Sequence, residues 1–151
     1  MAEYPSKSDL NLRDEWQVSQ GTYNKRPLIL RVRSGAGEIA GHPQFCHQVG
    51  IAVAFKKPDR KGLPHRTDEE VLFRFEDEVA VLEEGNESLL VGVITTGGMR
   101  EFVLYTSAPE SVKGRFSSLK DAAPGYRVQL MIKPDPSWET FRQLAGQDSD
   151  A

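Results

Sequence analysis

Two periodicities alternate along this chain. Residues 89–96 and 101–107 are runs rich in β-branched and aromatic side chains on either side of Gly97-Gly98. That pattern predicts an antiparallel hairpin, with the glycines supplying positive φ at the turn. Upstream, residues 16–20 and 28–34 predict two strands connected by residues 21–27, and Leu28, Leu30 and Val32 share a face opposite Ile29, Arg31 and Arg33. Residues 35–44 hold three glycines and a proline and read as a loop. Residues 45–55 predict a long strand with Phe45, His47, Val49, Ile51, Val53 and Phe55 on one side and Cys46, Gln48, Gly50, Ala52 and Ala54 on the other. One side is bulky and the other nearly bare, so another group is expected to approach the bare side closely.

The period then lengthens. Thr67-Asp68-Glu69-Glu70 is a capping box, with Thr67 as N-cap and Glu70 reaching back, and Val71, Leu72, Phe75, Val79 and Leu82 follow helical spacing up to a stop at Gly85. A second box, Ser107-Ala108-Pro109-Glu110, opens a helix with Val112, Phe116, Leu119 and Ala123 on its buried stripe, ended by Pro124-Gly125. Gly114 weakens this helix by about 1 kcal/mol relative to alanine. Residues 126–133 alternate again, with Tyr126, Val128, Leu130 and Ile132 against Arg127, Gln129, Met131 and Lys133. Asp135-Pro136 starts a short helix carrying Trp138, Phe141 and Leu144. A flexible polar leader at 1–14 and a frayed tail at 146–151 flank a single domain at 15–145.

From the third strand onward the order is β-α-β-β-α-β, which predicts an α+β fold. The specific expectation is a ferredoxin-like antiparallel sheet with an N-terminal β-hairpin before it and a short C-terminal helix after it. Both main helices would cover one face. The other would present Gly50, Ala52, Ala54, Leu90, Gly92, Ile94, Val103, Tyr105 and Met131, a face too apolar to stay wet. The Trp16 hairpin, the Trp138 helix, a protein partner or a second copy of the chain could cover it.

Length and charge narrow the class. A chain of 151 residues buries roughly 68–70% of its unfolded surface on folding, so neither a metal nor disulfides are needed for stability. Apolar stretches are strand-sized, residues 1–16 hold no apolar stretch of the kind a signal peptide needs, and Cys46 is the single cysteine. A cytoplasmic protein that does not enter membranes is expected. The net charge of −3 is unevenly spread. Acidic residues crowd positions 68–87, and Lys56, Lys57, Arg60, Lys61 and Arg66 form a basic loop before them. A solvated helix face beside a solvated loop accounts for both, and nucleic acid is not the expected partner.

Residues with candidate chemistry are few. Glu76 and Asp77 point about 100° apart on a helix and do not face each other as an acid/base pair. One of them is expected to bind Arg100 or a backbone amide. Arg100, Glu101 and Tyr105 are the more promising set, because Glu101 and Tyr105 share a face with Val103, with Arg127 or Gln129 across from them. They form either a polar ligand- or partner-binding cluster or a cross-strand salt bridge beside a half-buried tyrosine. His42, Cys46 and His47 lack the spacing of a metal site, and Gly97-Gly98 lacks that of a phosphate loop, so no cofactor is implied. Trp138 is either a core anchor or a stacking platform.

The run Val91-Gly92-Val93-Ile94-Thr95-Thr96-Gly97-Gly98-Met99-Arg100-Glu101-Phe102 with Tyr105 resembles a bacterial family of unknown function, DUF695. Phe75-Glu76-Asp77, Pro124-Gly125-Tyr126 and Asp135-Pro136 with Trp138 extend the resemblance, while Glu139-Thr140-Phe141-Arg142-Gln143 departs from it. The resemblance supplies no established activity. In some members it is accompanied by a domain similar to the ribonuclease E regulator B family, which acts by protein contact. The expectation is a small non-catalytic binding or regulatory module. The alternative is a hydrolase-type enzyme built on Arg100, Glu101 and Tyr105.

Overall fold

The computed structural model describes residues 4–7, 12 and 14–146. The fraying expected of the tail beyond residue 146 lies outside them, as does most of the leader. Of the leader's described residues, Tyr4 is engaged, its hydroxyl donating to Ala40 O at 2.9 Å.

The fold is α+β around one antiparallel six-stranded sheet. In chain order the elements are β1 (Trp16–Tyr23), β2 (Arg26–Arg33), β3 (His47–Ala54), α1 (Arg66–Val81), β4 (Ser88–Thr96), β5 (Met99–Thr106), α2 (Pro109–Gly114), α3 (Phe116–Asp121), β6 (Val128–Pro134) and α4 (Glu139–Gly146). The strands lie side by side as β1-β2-β4-β5-β3-β6. The β4–β5 hairpin therefore sits at the middle. The first hairpin is tighter than expected. β1 runs on to Tyr23, which pairs with Arg26, and Asn24 and Lys25 take φ of 51° and 66°. Two left-handed residues match the twist of the flanking strands, so a two-residue turn replaces the looser connection.

Each face follows the two-residue period. On the front, Val49, Ile51, Val53, Phe102, Leu104 and Val93 meet Leu72, Phe75 and Val79 of α1, Val112 of α2 and Leu119 of α3. The helix expected at residues 108–123 is two short pieces meeting at Arg115, next to Gly114, where the backbone is freest to leave helical geometry. α1 starts earlier than the Thr67 box implied. His65 is its N-cap, and its ring accepts from Thr67 N at 3.3 Å. Asp68 is buried because it anchors the preceding loop, accepting from Lys56 N (3.2 Å), Lys57 N (3.1 Å), His65 N (3.4 Å) and the Tyr126 hydroxyl (2.7 Å). Burial works against the carboxylate, but these four donors outweigh it and hold Asp68 below the usual range. Burial and the same bond push Tyr126 up to about 12.

The acidic stretch is less solvated than expected. Glu69, Glu76 and Glu83 recur two helical turns apart, and each meets an arginine from the front of the sheet. Arg100 lies 3.7 Å from Glu69, Arg31 makes a two-pronged contact with Glu76 (2.5 and 3.3 Å), and Arg33 lies 2.9 Å from Glu83. Glu76 thus pairs with Arg31 and not with Arg100.

On the back, the face expected to lie open is half closed by the chain itself. Leu30, Val32, Leu89, Val91, Val103 and Tyr105 are covered by Trp138, Phe141 and Leu144 and by Ala36, Ile39, Ala40 and Phe45, which precede β3. Helices therefore pack on both sides of the sheet. Phe45 packs on the back, away from Val49, because it precedes the strand. Leu90 also changes sides. A bulge between Leu90 and Gly92 shifts the register by one residue, sending Leu89 and Val91 to the back and Leu90 to the front. Gly92 lets α4 come close, since a Cβ there would stand 3.0 Å from Leu144 Cδ1.

Candidate binding groove on the sheet

The covered half of the back face is built around Tyr105. Its ring stacks on Trp138, with centroids 4.1 Å apart and planes 7° apart. Its hydroxyl donates to Asp135 Oδ2 at 2.6 Å and accepts from Phe141 N at 3.1 Å. Asp135 also caps α4, accepting from Glu139 N (2.9 Å) and Thr140 N (3.1 Å). Trp138 donates from Nε1 to Phe45 O at 2.8 Å, and Gln48 accepts from Thr140 Oγ1 at 2.9 Å. Burial and the Asp135 carboxylate push the Tyr105 hydroxyl far up. Burial opposes the charge on Asp135, yet Tyr105 and the two amides hold its carboxyl below the usual range. This half is a closed, fully bonded core.

The other half, toward the β1–β2 and β4–β5 turns, is uncovered. A groove of about 320 Å³ runs there between Tyr23, Leu28, Leu30, Ile94, Thr96, Met99, Glu101 and Leu144. The pairing sets Leu30, Ile94, Glu101, Ala52 and Gln129 in one row across five strands. Glu101 bends over the bare back of β3. A Cβ on Gly50 would stand 2.8 Å from Glu101 Oε2 and 3.3 Å from Met131 Cε. The close approach expected on that side of β3 is made by these two side chains. Among the described residues the Glu101 carboxylate has no hydrogen-bond or ion-pair partner. Burial raises its carboxyl above the usual value, and the charge of Lys133 pulls it only partly back.

The expected cluster of Arg100, Glu101 and Tyr105 does not converge. Arg100 points to the front, where its Nε donates to Thr95 Oγ1 at 2.9 Å, while Glu101 and Tyr105 point to the back. Neighbouring strand residues alternate faces, which forbids the grouping. Tyr105 and Trp138 are fully buried, so neither touches solvent or a partner. Arg127 is exposed and lies two residues along the chain from Gln129, which is the residue in the row of Glu101. Glu76 is taken by Arg31, and Asp77 stands next to it on α1. Of the singled-out residues, Glu101 alone reaches the groove.

Sequence reasoning passed over Tyr23, Leu28, Met99 and Leu144 as groove walls. A reader extending β1 through the Asn24-Lys25 turn would have found Tyr23 on the same face as Leu28. His42 is a core residue, with Nδ1 accepting from Gln44 N at 3.1 Å and Nε2 against Pro5 O at 2.5 Å. Cys46 lies against Pro43 O. Among the described residues no helix is long and apolar enough to cross a membrane.

Compared with known protein families, residues 14–145 match the model described as a family of unknown function, DUF695. No curated protein and no solved structure matches the chain.

Proposed function

The chain belongs to the DUF695 family, and from that premise we propose that it is a small cytoplasmic, non-catalytic binding module that works by protein contact through the open half of its sheet. The observation that carries this reading is where apolar surface is left over. Of five large hydrophobic side chains exposed among the described residues, Tyr23 (60%), Met99 (38%) and Met131 (38%) lie on this half-face. Tyr23 and Met99 line the groove itself, and Met131 lies beside Glu101 over Gly50, so exposed apolar side chains gather on this half of the sheet, as at a contact site. The element order from β3 to β6, with β4-β5-β3-β6 side by side, supports a ferredoxin-like unit extended by the β1–β2 hairpin.

The test is selection of displayed peptides on the intact protein, repeated on Met99→Asp and Met131→Asp. Peptides enriched on the parent and lost on both variants support the groove as the contact site. Equal enrichment on all three proteins excludes it. A second copy of the chain is the alternative occupant. Size-exclusion with light scattering reads it out as a dimer that Met99→Asp returns to monomer.

A further inference from the structure

We infer that the groove receives an extended segment of a partner protein bearing a single lysine or arginine, whose charged head seats on Glu101. This deepens the reading of the groove as a contact site and rests on it. Three observations lead to it. The first is the carboxylate's isolation. Glu101 stands inside a mostly apolar groove with no hydrogen bond or close ion pair among the described residues, only the more distant charge of Lys133, whereas Tyr105, Asp135, Gln48 and Trp138 on the same sheet face all have their hydrogen bonds. A half-buried carboxylate without a hydrogen bond costs the free protein stability, and a charged donor brought by the ligand supplies what the distant Lys133 does not.

The second is shape. Gly50, Ala52 and Ala54 leave the back of β3 bare, so the carboxylate lies low on the sheet instead of standing at the rim. A long unbranched cationic side chain fits such a place, its methylenes lying on Ile94, Leu28 and Met99 while its head meets the acid. The third is charge at the groove's end. Tyr23 pairs with Arg26, Lys25 forms the adjoining turn, and Arg26 reaches over Gly62, which follows the basic Lys56–Lys61 stretch. These cations repel a polybasic segment or a second positive residue near that end, and they select one cation among apolar neighbours.

The experiment measures fluorescence anisotropy of three labelled peptides of alternating leucine and serine, with lysine, norleucine or glutamate at the centre, titrated with the intact chain. The lysine peptide is expected to bind most tightly. Glu101→Gln, which keeps the shape, is expected to weaken it by roughly tenfold or more and leave the norleucine peptide unchanged. Glu101→Arg is expected to prefer the glutamate peptide, a reversal that a merely structural residue would not produce. Equal affinity for the lysine and norleucine peptides, or no change with Glu101→Gln, overturns the inference. If the norleucine peptide still binds and Met99→Asp abolishes that binding, the groove survives and only the cation is wrong. If none of the three binds, both ideas fail.

Discussion

Glu101 and Tyr105 stand on the same face of the same strand, and their surroundings are opposite. Around Tyr105 the chain has folded back on itself. α4 and the segment before β3 close over the ring, and every polar atom there is bonded within the protein. Around Glu101 only Leu144 of α4 folds back, the walls are mostly apolar, and the acid has no hydrogen bond, only the more distant charge of Lys133. Tyr105 is fully buried and Glu101 half-buried, but only the tyrosine has been given its hydrogen bonds. The contrast teaches where to look for function on a sheet: at the half that is not finished, not at the half with the more eye-catching aromatic residues.

Substitutions on the two halves should break apart accordingly. Trp138→Ala removes the lid of the covered half and should cost about 3–5 kcal/mol in urea unfolding. A loss below about 1 kcal/mol would mean that α4 is not needed to close the sheet. Tyr105→Phe takes the donor from Asp135 and the acceptor from Phe141 N, and about 1–3 kcal/mol should go with it. Met131→Ala, on the open half, should stay within about 0.5 kcal/mol of the parent. Glu101→Gln should raise the melting temperature at neutral pH, the reverse of Tyr105→Phe.

The pH dependence has opposite signs in the two halves. Glu101 has a raised carboxyl in the folded state, so its favourable contribution is present at low pH and is lost as pH rises through the folded value. The stability gained by Glu101→Gln should therefore shrink toward zero as pH falls below the usual carboxylate range. Asp135 has a lowered carboxyl, so its contribution is present above the unfolded value and lost as pH falls through the folded one. Asp135→Asn should be worst at neutral pH and converge with the parent in acid.

Most of the architecture was legible in the periodicities. The central hairpin, the faces of β2 and β6, the stripe of α1 and the Trp138, Phe141 and Leu144 anchors all follow from spacing. What escaped depends on single residues whose role is tertiary. The bulge at Leu90 and Gly92 cannot be seen in an unbroken run of β-branched residues. Asp68 looks like one more surface acid until Tyr126, distant in the chain, is brought against it. The candidate site was half legible. Glu101 was named, but for the company of Arg100 and Tyr105, and the groove that isolates it needs β1, β2 and α4 in place.

The most direct test is the Glu101 carboxyl itself, followed by NMR through a pH titration of the free protein and of the protein saturated with the lysine peptide. A pKa above the ordinary 4.5 is expected in the free protein, and a fall when the cation binds. An ordinary or depressed value in the free protein would mean that Glu101 already has a partner, and the distinction between the two halves of the sheet would be gone.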